Sequence, residues 1–264
     1  MKDLTKINGN IYRLTIPYKT IFTTVYAIKT ESGALLFDCA TYEKDVTDYI
    51  IPFLSELGID NEMLKYVFIS HNHRDHAGGL SYLLKAFPTV TVLSRSWELR
   101  ESLPEYKFQT PEDEDTILEC LCPVVIPGHT KDSCALLDKR TKSLITGDCM
   151  QFFGIVGNED WGANIFLPAE HLNALNKLKG LEIEEIYTAH DYYPYGYKHI
   201  GKTEVDRGIK TCADAVLRAR DIVKNNPTLT DEELKDIYDD GPDKPTVNKY
   251  VMTCMREYIE KGKI

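Results

Sequence analysis

Three of the seven histidines fall within six residues, in Ser70-His71-Asn72-His73-Arg74-Asp75-His76-Ala77-Gly78-Gly79, with an aspartate among them. Imidazole and carboxylate together are the donor set of a borderline-soft divalent metal, and neither is an ordinary filler for the end of a strand. Just upstream, Lys65-Tyr66-Val67-Phe68-Ile69-Ser70 is an apolar, β-rich run that reads as a buried strand. If the backbone stays extended past it, side chains 71, 73 and 75 project to one side and His76 follows as the chain turns. Gly78-Gly79 would then allow a close approach to a neighbouring segment.

The pattern His-x-His-x-Asp-His resembles the signature of the metallo-β-lactamase superfamily, and the rest of that signature follows in order. Pro127-Gly128-His129-Thr130 supplies the Gly-His-Thr turn. Ser143-Leu144-Ile145-Thr146-Gly147-Asp148 supplies an aspartate after a strand, and Ile186-Tyr187-Thr188-Ala189-His190 supplies a last histidine. The resemblance implies an α/β (α+β) fold, a four-layer αββα sandwich with the metals at one edge between two sheets. It implies that His71, His73 and His129 hold one metal, that Asp75, His76 and His190 hold a second, and that Asp148 bridges both. Asp75 and Asp148 are thereby the catalytic carboxylates. Asp38, ending Leu35-Leu36-Phe37-Asp38, is expected to hydrogen-bond a metal-binding histidine and fix its ring.

Two divalent metal ions so held, zinc first with iron or manganese as alternatives, would share a hydroxide that cleaves an ester-like bond. Two divalent charges less two aspartates and one hydroxide leave about +1 at the site, which favours a small anionic substrate. The Gly-His-Thr turn and the bridging aspartate look like the glyoxalase II-like, lactonase and phosphodiesterase branches, so the bond is a thioester, lactone or phosphodiester, in that order. β-Lactamases proper usually lack the bridge, and the diiron branch typically has glutamate at the position of His73. The basic glutathione-binding residues of a glyoxalase II tail are not recognisable in residues 191–264. Two other readings stay open, a mono-iron persulfide (sulfur) dioxygenase and a non-catalytic metal-binding module.

At 264 residues the chain fits one large domain or a domain with an appendage. A net charge of −10, with no block of lysine and arginine, argues against nucleic acid as a partner. No run approaches the roughly 18 apolar residues of a membrane span, and the first residues lack the apolar stretch of a signal peptide. Seven scattered cysteines give no disulfide framework, so the protein is expected to be cytoplasmic and reduced. A homo-oligomer is left open. The acidic run 111–115 reads as a solvated loop.

The elements that must position these residues begin with β-strands at 11–17, 22–30 and 34–40. A helix follows with Val46, Ile50, Leu54 and Leu57 on one face, Gly58 as its stop, and Pro52 as a kink or restart. Leu80, Leu83, Leu84 and Phe87 give a second helix, ended by Pro88, then a strand at 89–94 and an irregular stretch at 95–112. β-Structure resumes at 116–126, with Cys120 and Cys122 on one strand face, and a hairpin of 133–137 with 143–146 delivers Asp148. Cys39 and Cys149 read as small buried hydrophobes.

Residues 151–167 are rich in glycine and aromatics and read as a lid whose Phe152, Phe153 and Trp161 contact substrate. Tyr192 either lines the pocket, donating to an oxyanion, or packs against the helices that follow. A helix begins at Pro168, carries Leu172, Leu175 and Leu178, and stops at Gly180. His171 and His199 match no ligand position and are expected at the surface. Residues 1–200 form the metallo-β-lactamase-like domain, and residues 201–264 form a helical extension packed on it. In that extension Thr203-x-x-Asp206 and Thr230-x-x-Glu233 resemble capping boxes. Val205, Ile209, Cys212 and Val216 share one face, and Val247, Val251, Cys254 and Tyr258 share another.

Overall fold

The computed structural model describes residues 4–19, 21–152, 155, 156, 162–193, 195–241 and 246–264. Two mixed sheets carry the chain. The first runs β1 (Leu4–Asn8), β2 (Ile11–Tyr18), β3 (Ile21–Lys29), β4 (Ala34–Phe37), β5 (Leu64–Phe68), β6 (Thr91–Leu93) and β7 (Lys107–Gln109), in that spatial order. Neighbours are antiparallel from β1 to β4 and parallel from β4 to β7. The second contains β8 (Leu121–Val125), β9 (Cys134–Asp138), β10 (Ser143–Ile145), β11 (Ile155–Val156), β12 (Glu185–Tyr193) and β13 (Gly196–Ile200). Its order is β11-β12-β10-β9-β8 with β13 also on β12, and β10 and β12 run parallel.

Strand alternation sorts the core into layers. Along β4, Leu36 packs outward with helix residues such as Phe53, Leu80 and Leu84. Leu35 and Phe37 point inward, to meet Leu136, Ile145 and Tyr187 of the second sheet. Burying each such Leu or Phe stabilises the fold by about 1.5–3 kcal/mol. The outer helices of the first sheet are α1 (Glu43–Asp45), α2 (Ile51–Glu56), α3 (Arg74–Ala77), α4 (Leu80–Ala86) and α5 (Trp97–Ser102). A π-helical turn, Val46–Ile50, joins α1 to α2, and the Ile51 N–H bonds back to the Val46 carbonyl. Pro52 follows at once. It has no N–H to continue an α-ladder, so the expected kink is made by widening the preceding turn.

Over the second sheet lie α6 (Pro168–Lys179) and α7 (Lys202–Asn225), followed by α8 (Asp231–Asp239) and α9 (Tyr250–Glu260). Val205, Ile209 and Cys212 of α7 belong to the core beneath that sheet. Further along α7, Val216, Ala219 and Val223 turn to Leu234, Met252 and Met255. One amphipathic helix thus anchors the C-terminal helices to the sandwich. Among the described residues no helix is long and apolar enough to cross a membrane.

Several expectations need correction. The stretch 95–112 holds a helix, α5, capped by Ser96 accepting from the Leu99 N–H, and an edge strand, β7. Residues 117–121 turn rather than extend. Leu118 and Glu119 both have positive φ and with Cys120 form the turn between the bridged Ile117 and Leu121, so Cys120 sits before the strand and Cys122 within it. Thr230 makes its capping box with Glu233, but Thr203 falls inside α7, whose N-cap is Gly201 with φ 86°. His171 and His199 are buried, not superficial. α6 lies against the 127–130 turn so closely that a Cβ on Gly128 would meet His171 Nδ1 at 2.1 Å. His199 stacks on Phe152 with centroids 4.7 Å apart.

Candidate metal centre

The site forms where strand ends of both sheets meet: Asp38 follows β4, His71 and His73 follow β5, Asp148 follows β10, and His190 lies in β12. Carboxyl ends of parallel strands are the usual place for a ligand in such sheets. The extended backbone lasts only to His73, which is the N-cap of α3. Asp75 and His76 are therefore delivered by a helical turn, not by a continued strand, and the expectation for Asp75 is corrected accordingly. Gly78 and Gly79 let that turn press on the loop after β4. A Cβ at Gly79 would lie 2.1 Å from the Cys39 carbonyl oxygen, and one at Gly78 would lie 2.4 Å from that of Thr41.

All seven side chains singled out from the sequence converge. His71, His73 and His129 form one group, Asp75, His76 and His190 another, and Asp148 joins His71 and His76, with ligand atoms within 4.8 Å in each. His129 Nε2 lies 2.9 Å from His73 Nδ1, and His190 Nε2 lies 3.2 Å from Asp148 Oδ1 and 3.3 Å from Asp75 Oδ2. His76 Nε2 lies 3.4 Å from Asp75 Oδ2 and 3.5 Å from Asp148 Oδ2.

The outward nitrogens are spoken for. Asp38, buried and at φ 61°, accepts from the Ser70 N–H and the Ser70 hydroxyl, and from His76 Nδ1–H at 2.7 Å. With its proton committed to Asp38, Ser70 Oγ accepts from His71 Nδ1–H at 3.0 Å. His129 Nδ1–H donates to the Asn164 carbonyl at 3.1 Å and His190 Nδ1–H to that of Phe22 at 2.7 Å. These bonds set the tautomers so that Nε2 lone pairs point inward. Inward lie buried atoms with no hydrogen-bond partner: His71 Nε2, His76 Nε2 and Asp148 Oδ1. Buried polar atoms are seldom left so, and this donor set fits divalent cations.

Electrostatics divides the cluster. Burial pushes His71 well below the usual imidazole value and His129 down to about 4. Burial acts on His76 and His190 in the same sense, but nearby aspartates outweigh it. Asp75 and Asp148 hold His76 well above its ordinary value, and Asp148 chiefly holds His190 at about 10. The two aspartates thus favour positive charge at the inward edges of these rings, the charge a cation would supply.

A cleft of about 400 Å³ opens over the cluster, walled by Tyr18, Arg74, Gln151, Asn164, Phe166 and Tyr192, with Asn248 and Tyr250 from the C-terminal region. Tyr192 lines it while only 1% exposed. Phe152, expected to touch substrate, is instead fully buried between His199 and Tyr192, outside the cleft. Phe153 and Trp161 lie outside the described residues. The described part of the expected lid is tied down: Phe152 is buried, β11 pairs with β12, and Ala163 bridges to Val247. Cys39 and Cys149 are buried, as read from the sequence, and none of the cysteines is paired.

Sequence reasoning missed Arg74, Gln151, Asn164, Asn248 and Tyr250. Arg74 stood inside the motif and was legible as a cation beside ligands. Asn248 reaches the cleft from across the molecule, and no local pattern announces it.

A family model described as the metallo-beta-lactamase superfamily matches residues 19–190. The chain belongs to the metallo-beta-lactamase superfamily. It is 28% identical over 188 residues to a beta-lactamase-like protein 2 homolog of Caenorhabditis elegans, covering 66% of this chain and 57% of that one. It is 24% identical over 223 residues to an atrochrysone carboxyl ACP thioesterase of Aspergillus fumigatus, covering 79% and 63%. It is 31% identical over 148 residues to a hydroxyacylglutathione hydrolase of a Cyanothece species, covering 53% and 56%. The chain thus spans less than two thirds of the length of each. Among solved structures, a metallo-beta-lactamase family protein of Thermus thermophilus superposes with a TM-score of 0.66 at 18% identity, over 96% of this chain and 94% of that one. An inverting sec-alkylsulfatase of a Pseudomonas species gives 0.71 at 12% identity, over 97% and 50%. Both share the fold.

Proposed function

We propose that this chain is a metal-dependent hydrolase that cleaves a thioester in a small anionic molecule, with lactones and then phosphodiesters as the next substrates to try. The observation that carries the reading is the convergence of seven ligand side chains, with inward atoms buried and unpartnered, beneath an open cleft. Relatives named as a hydroxyacylglutathione hydrolase and an acyl carrier protein thioesterase support the thioester.

His71, His73 and His129 would hold one divalent ion, Asp75, His76 and His190 a second, and Asp148 would serve both, with zinc as the metal of choice. When bound, such a pair supplies an activated water at neutral pH and a Lewis acid for the acyl oxygen. The remaining work falls to the chain. Asp38 holds His76 in its ring orientation and, through Ser70, does the same for His71. Burial raises the Tyr192 phenol well above its usual value, so it faces the cleft as a protonated donor placed to meet a developing oxyanion. Arg74 carries the permanent positive charge among the residues described around the cleft. Its guanidinium lies 4.9 Å from the Tyr42 ring, and it forms no ion pair with a described residue. An anionic substrate group would meet it there. We take residues 201–264 as an extension of one domain, since α7 belongs to the cores on both sides.

The test is a panel of a thioester, a lactone and a phosphodiester offered to zinc-loaded protein beside a His71→Ala control. Thioester turnover well above the control is expected. If no member is turned over while iron-loaded protein forms sulfite from a persulfide under air, the dioxygenase reading replaces this one.

A further inference from the structure

We infer that Gln151 is a positioning residue that locks Asp148 and His129 into one frame, and that residues 246–248 of the C-terminal region hold the other end of that frame. The inference rests on the reading that the cluster holds metal.

Gln151 is 1% exposed and makes two short hydrogen bonds in opposite senses. Its Nε2–H donates to the Asp148 carbonyl oxygen at 2.6 Å, and its Oε1 accepts the Asn164 N–H, also at 2.6 Å. One partner is a backbone acceptor and the other a backbone donor, so only one orientation of the amide satisfies both. Asn164 then passes the constraint on. Its own carbonyl accepts His129 Nδ1–H, which leaves His129 Nε2 to face His73 and Asp148. One side-chain amide therefore links the backbone of Asp148 to Asn164, the residue whose carbonyl sets the tautomer of His129.

The frame continues away from the cluster. The Ala163 N–H donates to the Thr246 carbonyl at 3.0 Å, and the Asn248 N–H donates to the Ala163 carbonyl at 2.9 Å, a parallel bridge between Ala163 and Val247. Gly162 lies so close to this segment that a Cβ would meet the Thr246 carbonyl carbon and the Val247 nitrogen at 2.6 Å. Val247 is itself buried against Val251 and Met252 of α9. The path from α9 to His129 thus runs through Val247, Ala163 and Asn164 without a break. The family match ends at residue 190, so residues 246–248 are a brace that this chain brings from outside the matched region.

A brace of this kind acts on ligand geometry, and loss of such outer partners typically weakens metal binding by roughly 10–100-fold. A merely structural role would lower the melting temperature of the metal-free protein and leave zinc affinity alone. The experiment measures zinc affinity of the full chain by competition with a chromophoric chelator, beside the melting temperature of the metal-free protein. It compares wild type with Gln151→Leu, Gln151→Glu and Gly162→Ala.

Gln151→Leu should weaken the tightest zinc site by roughly 10–100-fold. Gln151→Glu keeps the acceptor for the Asn164 N–H but sets a carboxylate oxygen against the Asp148 carbonyl in place of a donor, so it should weaken zinc binding as well. Gly162→Ala, which touches no ligand, should weaken it from the far side. Should Gln151→Leu fail to fold without metal, Gln151→Glu against wild type decides. Zinc affinity unchanged in both Gln151 variants overturns the inference, and affinity unchanged in Gly162→Ala alone overturns the C-terminal brace. If wild type binds no zinc, the metal reading itself falls and this inference falls with it. Zinc binding without hydrolysis would count against the proposed reaction only.

Discussion

Asp38 Oδ2 lies 2.7 Å from His76 Nδ1, with neither side chain exposed beyond 1%. The same carboxylate also takes both donors of Ser70, so one residue fixes two rings of the cluster. Asp38→Asn is the informative replacement, because asparagine tolerates the positive φ that alanine would not. It removes the negative charge and one acceptor. Zinc affinity is expected to fall roughly 10–100-fold while the circular dichroism spectrum of the folded protein persists. Affinity equal to wild type would show that Asp38 merely closes a loop.

Arg74 gives a prediction about substrate charge. With a thioester whose leaving thiol carries a carboxylate, and its neutral counterpart, the ratio of the two KM values reports the contact. Arg74→Gln should raise KM for the charged member relative to the neutral one by about tenfold, the effect of roughly 1.4 kcal/mol in a half-open cleft. Arg74→Lys should recover part of it, as a point charge without the planar fork. A ratio unchanged by either replacement would remove Arg74 from substrate binding.

His171 gives a prediction about acid stability. Burial, with a smaller contribution from the His129 charge, pushes it down to about 3. The folded chain therefore binds its proton less readily than the unfolded chain, whose histidines titrate near about 6.5. The sign follows: stability is independent of this residue above that value and declines as pH falls below it. By pH 5 the loss from His171 is about 2 kcal/mol. Chemical denaturation of metal-free protein from pH 7 to 5 should show a shallower decline in His171→Leu than in wild type. Parallel declines would mean that this ring finds a partner when protonated.

The residues of the cluster were legible because their chemistry is local. Six residues fix His71, His73, Asp75 and His76, and each other member of the cluster sits in a short turn or strand end with its own signature. What the sequence could not show is long-range. Asn164 and Gln151 stand 13 residues apart and meet through one hydrogen bond that no local pattern announces, and Asn248 arrives from beyond α8. His171 misled for a related reason: a lone histidine on a helix looks solvated until the Gly128 turn is seen pressed on it. Phe152 misled because an aromatic beside the cleft wall can as easily face the core. Asp75 was assigned correctly to the cluster on the wrong backbone, since periodicity cannot tell where a strand gives way to one turn of helix.

The bond from His190 to the Phe22 carbonyl spans 168 residues. It ties the end of β3 that carries Phe22 to β12, across the two sheets. β12 takes its place beside β10 in parallel, a pairing that cannot form until the intervening helix has crossed over. Synthesis at about 5–20 residues per second then leaves His71, His73 and Asp75 exposed for several seconds before His190 exists. During that interval the cluster is without β12, the strand that completes it. Closure of the cluster therefore waits on β12, however early the first sheet has formed.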